Sequence, residues 1–159
     1  MNSIELMTLV ESIVKQSCAL KNKYTAEKSA PVNYACIFSH TESEYKSLIE
    51  IANSVGKIIK ETKTGPLFQI KPLDTVAGKL QLLKIRVPDL TRVEMGDADF
   101  TVPDYIEFKR KCLLKERFKL ILREDFEMIE LMDSAFNVRA YFSNPPLDQQ
   151  LNIQKMVIE

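Results

Sequence analysis

The sequence has little of what most metal-binding and phosphate-binding sites are made from. Its 159 residues include one histidine and four glycines. One histidine is too few for the tetrahedral or octahedral histidine sites that hold zinc, nickel or iron. Four glycines leave little material for a phosphate-binding loop, and no GxGxxG, Walker A, HExxH or Ser/His/Asp arrangement is present. Nucleotide hydrolysis and serine hydrolysis are therefore disfavoured.

The sequence also lacks a net charge and paired cysteines. Its 22 basic residues offset 22 acidic ones, so the whole chain has no field to hold nucleic acid or an anionic membrane. The three cysteines, Cys18, Cys36 and Cys112, are far apart, which indicates reduced thiols that serve in packing. Apolar runs are short, and the N-terminal segment has acidic residues where a signal peptide has basic ones. We therefore expect a cytoplasmic protein that neither spans nor binds a membrane.

What is present is typical of a globular chain. It is 45% hydrophobic and 28% charged, which is enough for one well-buried core. From Ser3 to about Leu20, apolar residues recur at spacings of three and four, which predicts an amphipathic helix. This helix either lies on the core or contacts a partner, and a homodimer is one form of such a contact.

The order of the predicted elements repeats. In residues 33–87, NYACIFS predicts a buried strand, a Thr41–Glu44 capping box begins a helix, and three strand segments follow. These segments are KIIKET, PLFQIKPL and GKLQLLKIRVP. From Asp97, the run DADFTV, a helix capped by Asp104 and the segments FKLILR, FEMIELM and NVRAYFS give the same order. Both copies predict a βαβββ module, and hence a duplicated fold with a cleft between its halves.

These elements predict an α+β fold in one compact domain. An N-terminal helix and connector occupy residues 1–32, the first module residues 33–95, the second residues 96–143, and a tail residues 144–159. The tail opens with two prolines, and we expect it to wrap the surface. The tail residues that could contact a neighbouring subunit are Leu147, Leu151, Ile153 and Met156.

The runs NYACIFSH, GKIIKETKTGPLFQI, LLKIRVP and DADFTVP, in this element order, resemble the vicinal oxygen chelate superfamily, which has the glyoxalase-like fold. Within it, the chain is most similar to the YecM family, which also places an N-terminal helical segment before paired βαβββ modules. The resemblance covers about residues 4–145 and lies in element order and strand patterns rather than in a catalytic signature. It implies that the two modules close into a cup made of mixed sheet.

In that superfamily, side chains from the first and last strands of each module hold a divalent metal, usually through histidine and glutamate. The resemblance puts Tyr34, Lys84, Asp97 and Arg139 at these places. Lysine and arginine have no usable lone pair at neutral pH and repel a cation. The one histidine, His40, follows the first strand, where we expect a capping or surface residue. We predict no cofactor; a divalent metal belongs only to the alternative function, a metal-dependent lyase, isomerase or dioxygenase of the superfamily.

Strand periodicity places the candidate residues on one face without reference to any family. In LLKIRVP the apolar residues alternate onto a face under a helix, so Lys84 and Arg86 project from the other face. The same alternation in DADFTV and NVRAYFS leaves charged and tyrosine side chains opposite the apolar ones. If the modules pair as the resemblance implies, the residues that meet in the cup are Tyr34, Lys84, Arg86, Asp97, Asp99, Arg139 and Tyr141.

Two interpretations of this cluster stay open. In one, the cations bind a small anionic molecule through bidentate hydrogen bonds to a carboxylate or phosphate, and the tyrosines form the wall. In the other, the two aspartates pair with Lys84, Arg86 and Arg139 in a solvated cleft, where each exposed pair is worth about 0 to 1 kcal/mol. A third arrangement would hold a hard cation between these aspartates and Glu127. The sequence names no reaction, so the favoured function is a glyoxalase-like binding protein without the usual metal ligands.

The modules are joined by VPDLTRVEMGD, residues 87–97. Its charged residues Asp89, Arg92 and Glu94 are typical of a solvated linker, and we expect the segment at the rim of the cup.

Overall fold

The computed structural model describes residues 1–152, so the predicted tail contacts of Ile153 and Met156 lie outside the described residues. The described residues form four helices and eight strands. The helices are α1 (Ser3–Tyr24), α2 (Glu42–Val55), α3 (Tyr105–Cys112) and α4 (Leu147–Gln150). The strands are β1 (Val32–Phe38), β2 (Gly56–Lys60), β3 (Leu67–Thr75), β4 (Gly78–Arg86), β5 (Gly96–Phe100), β6 (Phe118–Leu122), β7 (Glu127–Leu131) and β8 (Val138–Asn144). Across residues 1–152, no helix combines the length and apolar character needed to cross a membrane.

All eight strands form one sheet in the order β2-β3-β4-β1-β5-β8-β7-β6. Within each module the first strand is parallel to the last, β1 to β4 and β5 to β8, and the other neighbours are antiparallel. The modules meet where β1 and β5 run antiparallel, with Ala35 opposite Ala98. The predicted α+β fold, in which two βαβββ modules follow an N-terminal helix, is confirmed.

Helices α1, α2 and α3 lie on the same face of the sheet and bury its apolar side chains. The buried strand residues on this face include Leu83, Ile85, Ala98, Phe100, Val138, Ala140 and Phe142. They alternate along β4, β5 and β8 as the sequence predicts, so the residues between them project from the opposite face. We call that opposite face the cup face.

Helix α1 is one turn longer than the sequence predicts, because it continues past Leu20 to Tyr24. The additional turn contains Lys21, which is fully buried. Its Nζ donates to the carbonyl oxygen of Glu27 and lies 5.2 Å from the centre of the Phe100 ring. Both partners lie at the interface between the helix and the sheet. The polar segment that begins at Lys21 therefore starts within α1 rather than after it.

The junction between the modules requires glycine at Gly96, the first residue of β5. A β-carbon there would lie 2.2 Å from the carbonyl oxygen of Cys36 and 2.8 Å from Cδ1 of Ile13. Both atoms belong to elements packed against β5, so only a residue without a side chain permits this close approach.

Candidate ligand-binding site

The sheet register brings four cup-face residues into one row across the module junction. Lys84 of β4 is paired with Cys36 of β1, Cys36 with Asp97 of β5, and Asp97 with Arg139 of β8. Neighbouring strands lie about 4.8 Å apart, so a cationic side chain stands at each end of the row with Asp97 between them. We call these four residues the central row.

The other predicted residues lie one pair away on the same face. Tyr34, Asp99 and Tyr141 are level with one another on one side of the central row. Arg86 lies on the other side, opposite Phe38 of β1. The seven residues predicted to meet in the cup therefore share one face of the sheet.

The cluster is buried, whereas the pairing interpretation assumed a solvated cleft. Asp97 is 5% exposed, Asp99 is fully buried and Arg139 is 8% exposed. The predicted pairs also differ, because no cationic nitrogen of residues 1–152 lies within 4.0 Å of either aspartate. The physical reason is that Arg139 is bound by other carboxylates.

Arg139 is held by two glutamates and a carbonyl group. Its Nε and Nη2 donate to the two carboxylate oxygens of Glu94 at 2.7 and 3.0 Å. Its Nη1 donates to Glu130 at 3.4 Å, and Nη2 also donates to the Thr91 carbonyl oxygen at 2.9 Å. Burial acts to lower the pKa of Arg139, but the hydrogen bonds with Glu94 act in the opposite direction. The net result is a raised pKa. The guanidinium therefore anchors the linker to β8, and four of its five N–H donors are already occupied.

The linker, residues 87–95, contributes charged side chains to the cup. The Arg92 guanidinium lies 5.3 Å from the centre of the Phe38 ring and donates to the Tyr141 hydroxyl at 3.1 Å. Tyr141 in turn donates to Glu130 at 2.5 Å. Glu94 is also buried, whereas Leu90, Thr91 and Val93 are exposed, so the linker is solvated only in part. Arg92 and Glu94 have their hydrogen-bond partners inside the cup.

Asp99 is buried but has partners. It accepts hydrogen bonds from the Ser143 hydroxyl and, at 3.4 Å, from the Ser143 backbone N–H. Burial raises the pKa of Asp99 to about 7, while the bonds from Ser143 act to lower it. The position of β8 beside β5 thus supplies the compensation that Asp99 needs.

Asp97 is the exception in the cup. Its Oδ1 atom is buried and has no hydrogen-bond partner among the described residues. Burial raises the pKa of Asp97 to about 7, although four surrounding cationic side chains act to lower it. A buried acceptor without a partner costs about 1 to 3 kcal/mol. Within residues 1–152, the acceptor at the middle of the central row therefore has no partner.

The cations on the β4 side of Asp97 are only partly engaged. Lys84 Nζ donates to the Thr64 hydroxyl, and burial lowers the pKa of Lys84. Arg86 Nη2 lies 3.4 Å from Asp89 Oδ2, but Arg86 Nε is buried and has no partner among the described residues. Among residues 1–152, three buried side-chain atoms have no hydrogen-bond partner: Gln81 Oε1, Arg86 Nε and Asp97 Oδ1. Arg86 and Asp97 are the two of these residues that belong to the predicted cup.

The central row does not fit a metal ion. Asp97 offers carboxylate oxygens, but Lys84 and Arg139 are cations that cannot ligate. Burial raises the pKa of the Cys36 thiol, which disfavours the thiolate that a metal requires. In the part of the chain that the structure describes, no group of three or more His, Cys, Asp or Glu residues is arranged to hold a metal.

Two further residues lie away from the unpaired atoms. Glu127 accepts from the Tyr105 hydroxyl and lies 2.8 Å from Lys109 Nζ, on the side of the sheet that carries α3. It cannot join the two aspartates around a hard cation, so that arrangement is wrong. His40 is exposed, and its Nε2 lies 2.8 Å from the Glu94 carbonyl oxygen.

The sequence does not place Phe38 and Glu130 in the cup, and it places Arg92 and Glu94 only at its rim. For Glu130 a signal exists, because it alternates with the apolar residues of FEMIELM and must project from the cup face. Arg92 and Glu94 lie in a loop, where no periodicity fixes the direction of a side chain.

The larger pockets do not contain the unpaired atoms. A pocket of about 400 Å³ opens between the linker and the β7–β8 turn, and Glu94 and Arg139 form part of its wall. A second pocket, of about 640 Å³, lies beside Tyr24 and residues 115–119. Neither is lined by Asp97 or Arg86.

Two solved structures resemble this chain to different degrees. A structure described as "Structural Genomics, Protein EC4020" matches with a TM-score of 0.72 at 10% identity, over 93% of this chain and 90% of that chain. A glyoxalase/bleomycin resistance protein/dioxygenase superfamily member from Vibrio splendidus 12B01 matches with a TM-score of 0.42 at 7% identity, over 72% of this chain and 97% of that chain. No family model and no curated protein matches the chain. At 10% identity the first likeness shows a shared fold, and function must be argued from the site.

Proposed function

We propose that this chain is a glyoxalase-like protein of the YecM type that lacks the superfamily's metal ligands and binds a small anionic molecule in the cup. The ligand is a carboxylate or a phosphate. The observation that carries the proposal is the buried, unpaired Arg86 Nε, on the strand and face that also present Lys84. The N-terminal helix before two βαβββ modules supports the likeness to the YecM family.

Electrostatics favours an anion on the β4 side of the cup. Lys84, Arg86 and Arg92 surround Asp97 without an ion pair to it. Burial lowers the pKa of Lys84, and the like charges of Arg86 and Arg92 act in the same direction. A carboxylate or phosphate would accept hydrogen bonds from Arg86 and Lys84 and would reduce the repulsion between these cations.

The alternative function, a metal-dependent lyase, isomerase or dioxygenase, requires lone pairs at the four positions that the resemblance assigns to metal ligands, Tyr34, Lys84, Asp97 and Arg139. Two of these four residues, Lys84 and Arg139, have none to offer. The absence of a metal cofactor stays a prediction, which elemental analysis of the purified protein tests.

The direct test is a calorimetric titration of the protein with inorganic phosphate, acetate and lactate at low ionic strength. We expect saturable binding of at least one of these anions. Lys84→Met should weaken that binding about tenfold or more, because the ligand loses a charged donor. The matched control is Lys57→Met on the edge strand β2, where the lysine is exposed.

Binding to Lys57→Met should equal that of the wild type. Two results would contradict the proposal: no binding of any of the three anions, or an equal loss in both lysine variants. The second result would indicate a general charge effect rather than a site.

A further inference from the structure

We propose that two copies of this chain form a dimer through β6, with the two β6 strands paired antiparallel around a two-fold axis at Leu120. β6 is the last strand in the sheet order, so among residues 1–152 one of its edges has no neighbouring strand. The sequence predicts dimer contacts only in α1 and the C-terminal tail. The contact through β6 does not depend on the anion site in the cup.

The two edges of the sheet differ in how well they are protected. At the opposite edge, β2 has a register irregularity between Ile58 and Lys60 and carries two lysines among its five residues. Bulges and lysines are features that natural proteins use to keep edge strands from pairing with other chains. β6, with the sequence FKLIL, pairs with β7 in one unbroken register and contains a single lysine. Its edge is therefore open to another strand.

The hydrogen bonds between β6 and β7 show which residues of β6 face outward. Arg123 N–H donates across this hairpin at 2.9 Å, and the Arg117 carbonyl oxygen accepts across it at 3.2 Å. In an antiparallel pair, residues bonded to the neighbouring strand alternate with residues whose backbone groups point away from it. Lys119 and Ile121 therefore bond to β7. The residues of β6 that point away from β7 are Phe118, Leu120 and Leu122.

Some of the outward backbone groups already have partners. Phe118 N–H donates to the Lys115 carbonyl oxygen at 3.3 Å, and the Leu122 carbonyl oxygen accepts from Arg123 Nη1 at 3.1 Å. Among residues 1–152 the other outward groups are free: the Phe118 carbonyl, the N–H and carbonyl of Leu120, and the Leu122 N–H. A strand that docks on β6 must complement this set.

A second copy of β6 complements the set when the two-fold axis passes through Leu120. The Leu120 residues of the two copies then exchange both of their hydrogen bonds, and Leu122 N–H of each copy donates to the Phe118 carbonyl oxygen of the other. The two occupied groups, Phe118 N–H and the Leu122 carbonyl, would face each other in this register. The dimer therefore uses every free group and breaks none of the existing bonds.

Other antiparallel registers of two β6 strands fit less well. An axis at Lys119 would place the two lysines opposite each other, and like charges opposite each other destabilise a sheet. An axis at Ile121 would require the Leu122 carbonyl oxygen, which Arg123 already occupies. The register centred on Leu120 is therefore the favoured one.

The side chains are also compatible with a contact between identical strands. Leu122 is 66% exposed, and in the dimer it lies opposite Phe118 of the second copy, where it is removed from water. The exposed Lys119 lies opposite Ile121 rather than opposite another cation. The chain has no net charge, so two copies do not repel each other as whole molecules.

The experiment is sedimentation equilibrium of the full chain at concentrations from about 1 μM to about 1 mM, which spans the affinities of weak and moderate dimers. We expect a monomer–dimer equilibrium. Leu122→Pro should weaken the dimer about tenfold or more, because it removes an N–H that only the dimer uses. The monomer should fold, since proline is tolerated on an edge strand where the N–H faces outward. The matched control is Leu122→Ala, which keeps the N–H and should weaken the dimer less.

Hydrogen exchange of the wild type gives a second measurement that does not depend on any variant. The amides of Leu120 and Leu122 should exchange more slowly as the protein concentration rises, because they become bonded in the dimer. The amides of Lys119 and Ile121 bond to β7, so their exchange should not respond to dimer formation in this way.

Three results would overturn the proposal. A protein that remains monomeric at about 1 mM would show that a second copy does not occupy this edge. A dimer that Leu122→Pro leaves unchanged would have its interface elsewhere, for example at α1 or the tail. The same conclusion would follow if the Leu120 and Leu122 amides exchanged at equal rates in the monomer and the dimer.

Discussion

Glu94 and Arg139 are joined by two parallel hydrogen bonds, from Nε to Oε2 at 2.7 Å and from Nη2 to Oε1 at 3.0 Å. Glu94 belongs to the linker between the modules, and Arg139 belongs to the central row on β8. The two side chains are 10% and 9% exposed. The pair therefore fastens the linker across the cup and neutralises Arg139, a role that the sequence assigns to Asp97 and Asp99.

Arg139→Ala should lower the free energy of unfolding by about 3 to 5 kcal/mol, because removal of one partner leaves a buried carboxylate without compensation. Urea denaturation of the wild type and the variant measures the loss. In the double variant with Glu94→Ala, the summed losses of the single variants should exceed the observed loss, since the unpaired charge is gone.

The matched control is Arg110→Ala. Arg110 donates from Nε and Nη2 to both carboxylate oxygens of Glu107, at 2.9 and 2.6 Å, in the same geometry. That pair is exposed on α3, so its removal should change stability little. Equal effects at Arg139 and Arg110 would show that the buried network does not stabilise the fold.

Asp97→Asn should change how stability depends on pH. In an unfolded chain the pKa of an aspartate is about 3.9, whereas burial raises that of Asp97 to about 7 in the folded protein. Between these two values the folded state binds the additional proton, so the contribution of Asp97 to stability falls as the pH rises from about 4 to about 7. The variant lacks this proton. Its stability relative to the wild type should therefore increase over that range, as measured by melting temperature.

Asp99 contributes a dependence of the same sign, because burial raises its pKa to about 7 as well. The double variant with Asp99→Asn should consequently show a flatter profile than either single variant. The control is Asp74→Asn at an exposed position on β3. Parallel pH profiles for the wild type and Asp97→Asn would refute the raised pKa.

Gly96→Ala should destabilise the junction between the modules by about 3 kcal/mol, the upper end of the usual cost of overpacking. Its β-carbon would lie 2.2 Å from a backbone oxygen of β1, which cannot move without disturbing the sheet. Gly78→Ala is the comparison: its φ of 101° disfavours a side chain, but a β-carbon there meets no atom within 4 Å. It should cost about 1 to 2 kcal/mol. A smaller loss at Gly96 than at Gly78 in chemical denaturation would contradict the described junction.

Added zinc, nickel, manganese or iron should not bind at the central row. Lys84 and Arg139 place positive charge at both of its ends, which opposes a cation. Elemental analysis after purification in the presence of each metal checks this expectation. Stoichiometric metal that is retained by the wild type and lost in Asp97→Ala would favour the metal-dependent alternative.

Much of the fold follows from local sequence signals. The Thr41 cap, the Asp104 cap and the alternation in β4, β5 and β8 each specify an element or a face, and all of them agree with the structure. The end of α1 does not follow, because the burial of Lys21 depends on tertiary contacts with Glu27 and Phe100. A polar residue in a sequence gives no sign of such partners.

The site is only partly predictable. Alternation places Lys84, Asp97 and Arg139 on one face, but it does not say which charges pair. That choice depends on the linker, whose path is set by tertiary contacts such as those of Arg92 with Phe38 and Tyr141. Pairing rules based on nearby strands therefore give the wrong partner for Arg139.

The most direct measurement of the central claim is the Nε–H resonance of Arg86 in a nitrogen–proton correlation spectrum, assigned by comparison with Arg86→Lys. The account predicts a saturable shift of this resonance when lactate is added. The Nε–H of Arg139 should move little, because it already donates to Glu94 at 2.7 Å. An Arg86 resonance that stays unchanged with lactate, acetate and phosphate at saturating concentration would contradict the presence of an anion site in the cup.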